Sequence, residues 1–134
     1  MMLNKQKAFS LLELLLVLAL VAVLLAFALP AWQQHQRMAG RQQAWLQLQR
    51  IGLQQEMWYL QQGTYCDDMS LLAPAPEQIL YDYQVQVSAT TYLLSATAKA
   101  NGPQANDSQC QRLTLASDGE TKSYSKTSES WACN

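Results

Sequence analysis

The pattern of hydrophobic and polar positions divides the chain into two regimes. From Phe9 to Leu29 the only polar side chains are Ser10 and Glu13, and Leu14 to Leu29 is an unbroken apolar run. As a helix this run rises about 24 Å, and adding Phe9 to Leu12 brings it to the roughly 30 Å hydrocarbon core of a bilayer. The segment therefore predicts a membrane-spanning helix with one carboxylate inside it. Pro30 ends the run. It lacks an N–H and its ring presses on the preceding turn, so it can kink a helix, but the helical pattern resumes beyond it. Ala31 to Gln62 is rich in Gln, Arg, Ala, Leu and Met, with Gly52 in its interior. These are helix-compatible residues apart from the glycine, and they predict one helix of about 54 residues, near 80 Å long.

Projected at about 100° per residue, Ala44, Leu48, Ile51, Trp58 and Tyr59 gather on one side, and Leu46, Leu53, Met57 and Leu60 gather on the other. One stripe covers a sheet of the same molecule. The second has no use inside a head this small and predicts contact with another molecule. Gly63 is a helix terminator, and Asp67, Asp68, Pro74 and Pro76 mark an irregular connection. Ile79, Tyr81, Tyr83, Val85 and Val87 then alternate with Leu80, Asp82, Gln84 and Gln86, which predicts a half-buried strand. Tyr92, Leu94, Ala96 and Ala98 give a second strand, and Leu113 with Leu115 a third. Asp118-Gly119 is a turn into a fourth over residues 121–125. The breakers from Asn101 to Asp107 form the loop between the second and third, and the whole reads as an antiparallel meander.

Composition narrows the function classes. The chain has 134 residues, of which 14% are charged, and a formal net charge of −1, so it has no global basic field for a nucleic-acid backbone. Cys66, Cys110 and Cys133 all lie beyond the apolar segment, which suits an exported, oxidising location. Three is odd, so at most one internal pair forms, and spacing alone leaves open which thiol remains. Lys5 and Lys7 make a short basic leader before the span, while Arg37 and Arg41 flank its other end. With the basic count nearly balanced, the cysteines carry much of the topology argument and place the head outside the cytoplasm. His35 has no cysteine or acid at ligand spacing, and Asp67-Asp68 lack the spaced oxygens of a calcium loop. No metal, cofactor or positioned nucleophile and base is expected, so the chain does not read as an enzyme. Trp32 is assigned to the membrane interface and Trp58 to the head core.

The stretch Lys5, Lys7, Ala8, Phe9, Ser10, Leu11, Leu12, Glu13, followed by the apolar run and Pro30, resembles the type III signal of type IV prepilins. Ala8 stands where that family usually has glycine. Farther on, Tyr92, Leu94, Ala96, Ala98, Asp107, Cys110, Leu113, Leu115, Gly119 and Cys133 are similar to the C-terminal half of minor pilins of the PilE-like type. The resemblance implies an α+β pilin fold in which a long helix packs on a small antiparallel sheet. It implies a leader over 1–8, an apolar assembly helix over 9–29, its amphipathic continuation over 30–62 and a head over 63–134. It also implies that a prepilin peptidase cuts between Ala8 and Phe9, that the new Phe9 amine is N-methylated, and that Cys110 pairs with Cys133, leaving Cys66 unassigned.

A carboxylate within an apolar span costs about 2.5–3.5 kcal/mol on insertion scales, so Glu13 wants a partner. Cleavage creates one in the Phe9 amine, and an axially shifted neighbour offers that amine better than the same helix does. The family resemblance implies that this pairing sets subunit register. The expected partners are other major and minor pilins, the peptidase, the inner-membrane assembly machinery and, before assembly, the lipid bilayer. The expected location is the inner membrane with a periplasmic head, then an extracellular pilus. Removing residues 1–8 takes away Lys5 and Lys7, two of 9 basic side chains against 10 acidic ones, which disfavours direct DNA binding without excluding a local patch.

Three alternatives compete. A type II secretion pseudopilin would share the processing and the helix. A secreted binding protein would be cut after Ala26-Phe27-Ala28, although Glu13 is an odd residue for an export signal. A plain single-span anchor would keep residues 1–8.

Overall fold

The computed structural model describes residues 10–73, 80–126, 128 and 133. Its elements run α1 (Leu11–Gln62), α2 (Met69–Leu72), β1 (Tyr81–Val87), β2 (Tyr92–Ala98), β3 (Arg112–Ala116) and β4 (Thr121–Tyr124). The chain divides into two units, residues 1–36 and 37–134.

α1 begins where the Ser10 carbonyl accepts from the N–H groups of Glu13 at 3.0 Å and Leu14 at 3.2 Å. Glu13 lies in the first helical turn, where a carboxylate complements the unsatisfied N–H groups. Pro30 sits inside the helix without interrupting it. α1 ends at Gly63, whose φ of 74° is a left-handed conformation natural to glycine, with its N–H on the Tyr59 carbonyl at 2.8 Å.

The strands form one antiparallel sheet in the order β1-β2-β3-β4, the meander that the alternation predicts. Tyr81 pairs with Ala98, Ala96 with Leu113 and Leu113 with Ser123, so these residues share the inner face. The first strand is shorter than its sequence pattern: Leu80 is a bend outside β1, and Ile79 lies outside the described residues. Ser125 likewise falls just beyond β4. The connection after Gly63 holds a short helix that its breakers did not announce. Asp68 caps α2 by accepting from the Ser70 N–H at 2.9 Å and the Ser70 hydroxyl at 2.6 Å, which holds its carboxyl below the usual range.

In the second unit, the core lies between α1 and the inner sheet face. Ala44, Leu48 and Ile51 meet Tyr81, Tyr92, Leu94, Ala96, Ala98 and Leu113, all buried. The helix approaches the head closely because it carries glycine at two contacts, one with the sheet and one with the loop between β2 and β3. A Cβ on Gly52 would lie 3.3 Å from the Leu115 side chain, and one on Gly40 would overlap the Gln104 amide.

Candidate functional site

In the first unit, the functional surface is the apolar part of α1. No residue of its membrane-length window is buried, and the helix is long and apolar enough to cross a bilayer. Leu11, Leu12 and Leu24 are each about 70% exposed or more, at 78%, 74% and 69%. Such a surface has no stable place in water and demands lipid or other apolar helices. Glu13 opens this segment as its only ionisable group before Pro30, and its side chain is exposed. Ala8 and Phe9, the expected processing site, lie outside the described residues.

In the second unit, the two helical stripes meet different fates. Ala44, Leu48 and Ile51 are buried and Trp58 is half-buried against the core. Tyr59, expected with them, is instead 40% exposed and stacks on Tyr65, with ring centroids 4.7 Å apart. The opposite stripe is bare: Leu46, Leu53, Met57 and Leu60 are 60%, 66%, 52% and 84% exposed. The head does not wrap around its helix.

Three polar anchors tie the head to α1, and sequence reading missed all of them. Arg41 and Asp107 form a two-pronged ion pair, Nε and Nη2 each donating to a carboxylate oxygen at 2.7 Å. Its hydrogen bonds with Asp107 raise the Arg41 pKa further above its ordinary value. Gln104 is buried in the same loop and donates to the Arg37 carbonyl at 3.3 Å, across the gap that Gly40 leaves open. Gln55 is fully buried and brackets Cys66, donating to its carbonyl at 2.6 Å and accepting from its N–H at 2.9 Å. Arg41 read as a flank of the membrane span, Gly40 carried no expectation, and Gln55 is camouflaged in a glutamine-rich helix. The signal that was present is Asp107, an acid inside a loop of breakers opposite a helical arginine.

Cys110 and Cys133 are joined by a disulfide with Cα atoms 5.6 Å apart, and both are buried. Cys66 is free and buried, its thiol 3.6 Å from the Asp68 carbonyl. It is therefore poorly placed for an intermolecular bond. His35 is exposed, and among the described residues no group of three or more His, Cys, Asp or Glu could hold a metal.

On the outer sheet face, Arg112 lies over the Tyr124 ring at 4.6 Å from its centroid, and the two residues are register partners. Lys122 pairs with Glu120 at 3.2 Å, and Lys99 with Asp82 at 3.7 Å.

Known proteins resemble the chain in both units. Residues 3–29 match the model of the prokaryotic N-terminal methylation motif, and residues 30–114 match a family described as type IV minor pilin ComP, DNA uptake sequence receptor. A type IV major pilin protein PilE1 of Neisseria gonorrhoeae is 30% identical over 112 residues, covering 82% of this chain and 62% of the relative. A second PilE1 from the same organism is 29% identical, with 67% of its length covered. The chain thus spans about two thirds of the length of the curated relatives it matches.

Two solved structures share the fold. A type IV pilin from Shewanella oneidensis has a TM-score of 0.52 at 17% identity, covering 63% of this chain and 89% of that one. The non-core minor pilin PilV of Neisseria meningitidis has a TM-score of 0.56 at 21% identity, covering 69% and 91%. With a family match running from Pro30 through the rest of the helix and two strands into a third, directly after a methylation motif, this chain belongs to the type IV minor pilin family.

Proposed function

We propose that the chain is a structural subunit of a type IV pilus, stored in the inner membrane with a periplasmic head and then packed by its helix into a pilus or its initiation complex. The observation that carries this reading is the wholly uncovered apolar surface of α1, opened by a single carboxylate. The bilayer covers that surface before assembly, and the helices of other pilins cover it afterwards. Glu13 accepts the Phe9 amine of an axially shifted neighbour, which exchanges a costly lone charge for a pair that fixes register. Pro30 removes one backbone hydrogen bond at the end of the apolar run and gives the helix a place to bend while packing.

The methylation-motif match supports cleavage between Ala8 and Phe9 by a prepilin peptidase, followed by N-methylation. The chain is a substrate of that machinery and has a structural, cofactor-free role. The test is intact-mass and N-terminal peptide analysis of the protein from its native membrane and from sheared surface filaments. A chain starting at methylated Phe9 in both fractions is the expected result. A start at Met1 or Leu29 would sink the reading in favour of a plain anchor or a secreted protein.

A second reading is contact with DNA, supported by the description of the matched family and by one local feature. Arg112 over Tyr124, with Lys122 beside them and Lys126 exposed just past β4, puts cations and an aromatic ring on one sheet region. That combination suits phosphates and a stacked base. Full-length protein in detergent is expected to bind labelled duplex DNA at low salt and to lose at least tenfold in affinity with R112A and K126A together. Equal affinity of the double variant, or no binding at low salt, rejects this reading.

A further inference from the structure

The bare stripe of α1 is flanked by opposite charges. At about 100° per residue, Leu46, Leu53, Met57 and Leu60 centre on one direction, with Arg50 about 50° to one side and Glu56 about 70° to the other. Arg50 is exposed and has no carboxylate partner among the described residues. On the Glu56 side a groove of about 570 Å³ runs between α1 and the β3–β4 turn. Gly52, Tyr92 and Leu115 form its floor, Leu53 one wall, and Glu56 and Asp118 its only charged lining groups. Gly52 keeps this floor close to the helix backbone, where a Cβ would lie 3.3 Å from Leu115 and 3.4 Å from the Tyr92 hydroxyl.

We infer that this groove receives Arg50 from the helix of a second copy of the chain. The inference rests on the filament-subunit reading and specifies which surfaces meet. An acidic, partly apolar groove complements a cation whose stem lies along apolar surface. In a filament, where copies follow one another along a helical array, this contact is heterologous: each copy offers Arg50 to one neighbour and its groove to another. Contacts of that kind propagate into rings or helical arrays, with the apolar stripe turned toward the interior they enclose.

The test uses two populations of full-length protein produced together in the membrane, one carrying R50C and the other D118C, treated with a short bismaleimide. Buried Cys66 is common to both, so the parent chain supplies the background. The expected product is a cross-linked heterodimer at least fivefold above that from either variant alone, falling to background when E56R is added to the D118C copy. Dimers formed equally well by R50C alone would set Arg50 against Arg50 rather than against the groove and overturn the inference. So would filaments that contain the chain without any heterodimer, an outcome that leaves the filament reading standing. If the N-terminal mass shows an unprocessed chain, the filament reading falls and takes this inference with it.

Discussion

At the scale of single residues, the head is fixed to its helix by close approach and by paired charge. Gly40 is the sharpest case, because any Cβ there overlaps the Gln104 amide. G40A is expected to lower the unfolding free energy by about 1–3 kcal/mol, as overpacking does. Adding Q104A should recover part of that loss in urea unfolding followed by tryptophan fluorescence. Buried phenols give a second expectation. Tyr81, Tyr83 and Tyr92 are all pushed up to about 12 by burial, with the Asp107 and Glu56 carboxylates adding to the effect at Tyr81 and Tyr92. A phenol raised in the folded state and ordinary in the unfolded one contributes stability below pH 10 that is lost as pH rises toward 12. The melting temperature should therefore hold up to about pH 10 and fall through the next two units. Unfolding that begins well below pH 10 would point to another group. Gly40 and Gln104 did not stand out in the sequence, and Tyr81, Tyr83 and Tyr92 were legible only as strand positions, since such residues acquire their energetic meaning from the partner that folding brings to them.

At the scale of elements, α1 serves two environments along one length, and its two stripes separate stability from assembly. L48A removes a fully buried side chain and is expected to cost about 2–5 kcal/mol. L53S and L60S change exposed positions and should leave unfolding within about 0.5 kcal/mol of the parent, while reducing the amount of the chain in sheared filaments severalfold. Equal filament content in the serine variants would show that the bare stripe is not an assembly surface. This division was legible in advance, because a 3.6-residue period that yields two opposed apolar faces cannot be satisfied by one small sheet. The strands were legible for a similar reason: inner residues from Tyr81 to Leu115 alternate with polar ones. The short helix α2 was not, because its four residues depend on the Asp68 cap and have no room for a period.

At the scale of the whole molecule, the disulfide and the Arg41–Asp107 ion pair both close the second unit around its small core. The disulfide joins positions 23 apart in sequence, a loop worth roughly 3 kcal/mol in chain-entropy terms. Reduction, or C110A with C133A, should lower the unfolding free energy by about that amount. An unchanged urea midpoint would mean that the bond adds nothing. The pairing came from family likeness, since three cysteines alone permit any of three bonds. The Arg41–Asp107 contact has a different consequence. It joins residues 66 apart, and Leu48 and Ile51 likewise await partners from β2 and β3. A ribosome makes the helix first and its cover last, so the inner stripe of α1 stays bare while dozens of later residues are still being synthesised. Long loops must close before any of these contacts rewards the chain, which makes folding slow and late. Until residue 113 has been added, the nascent subunit therefore carries an uncovered apolar stripe prone to non-native association.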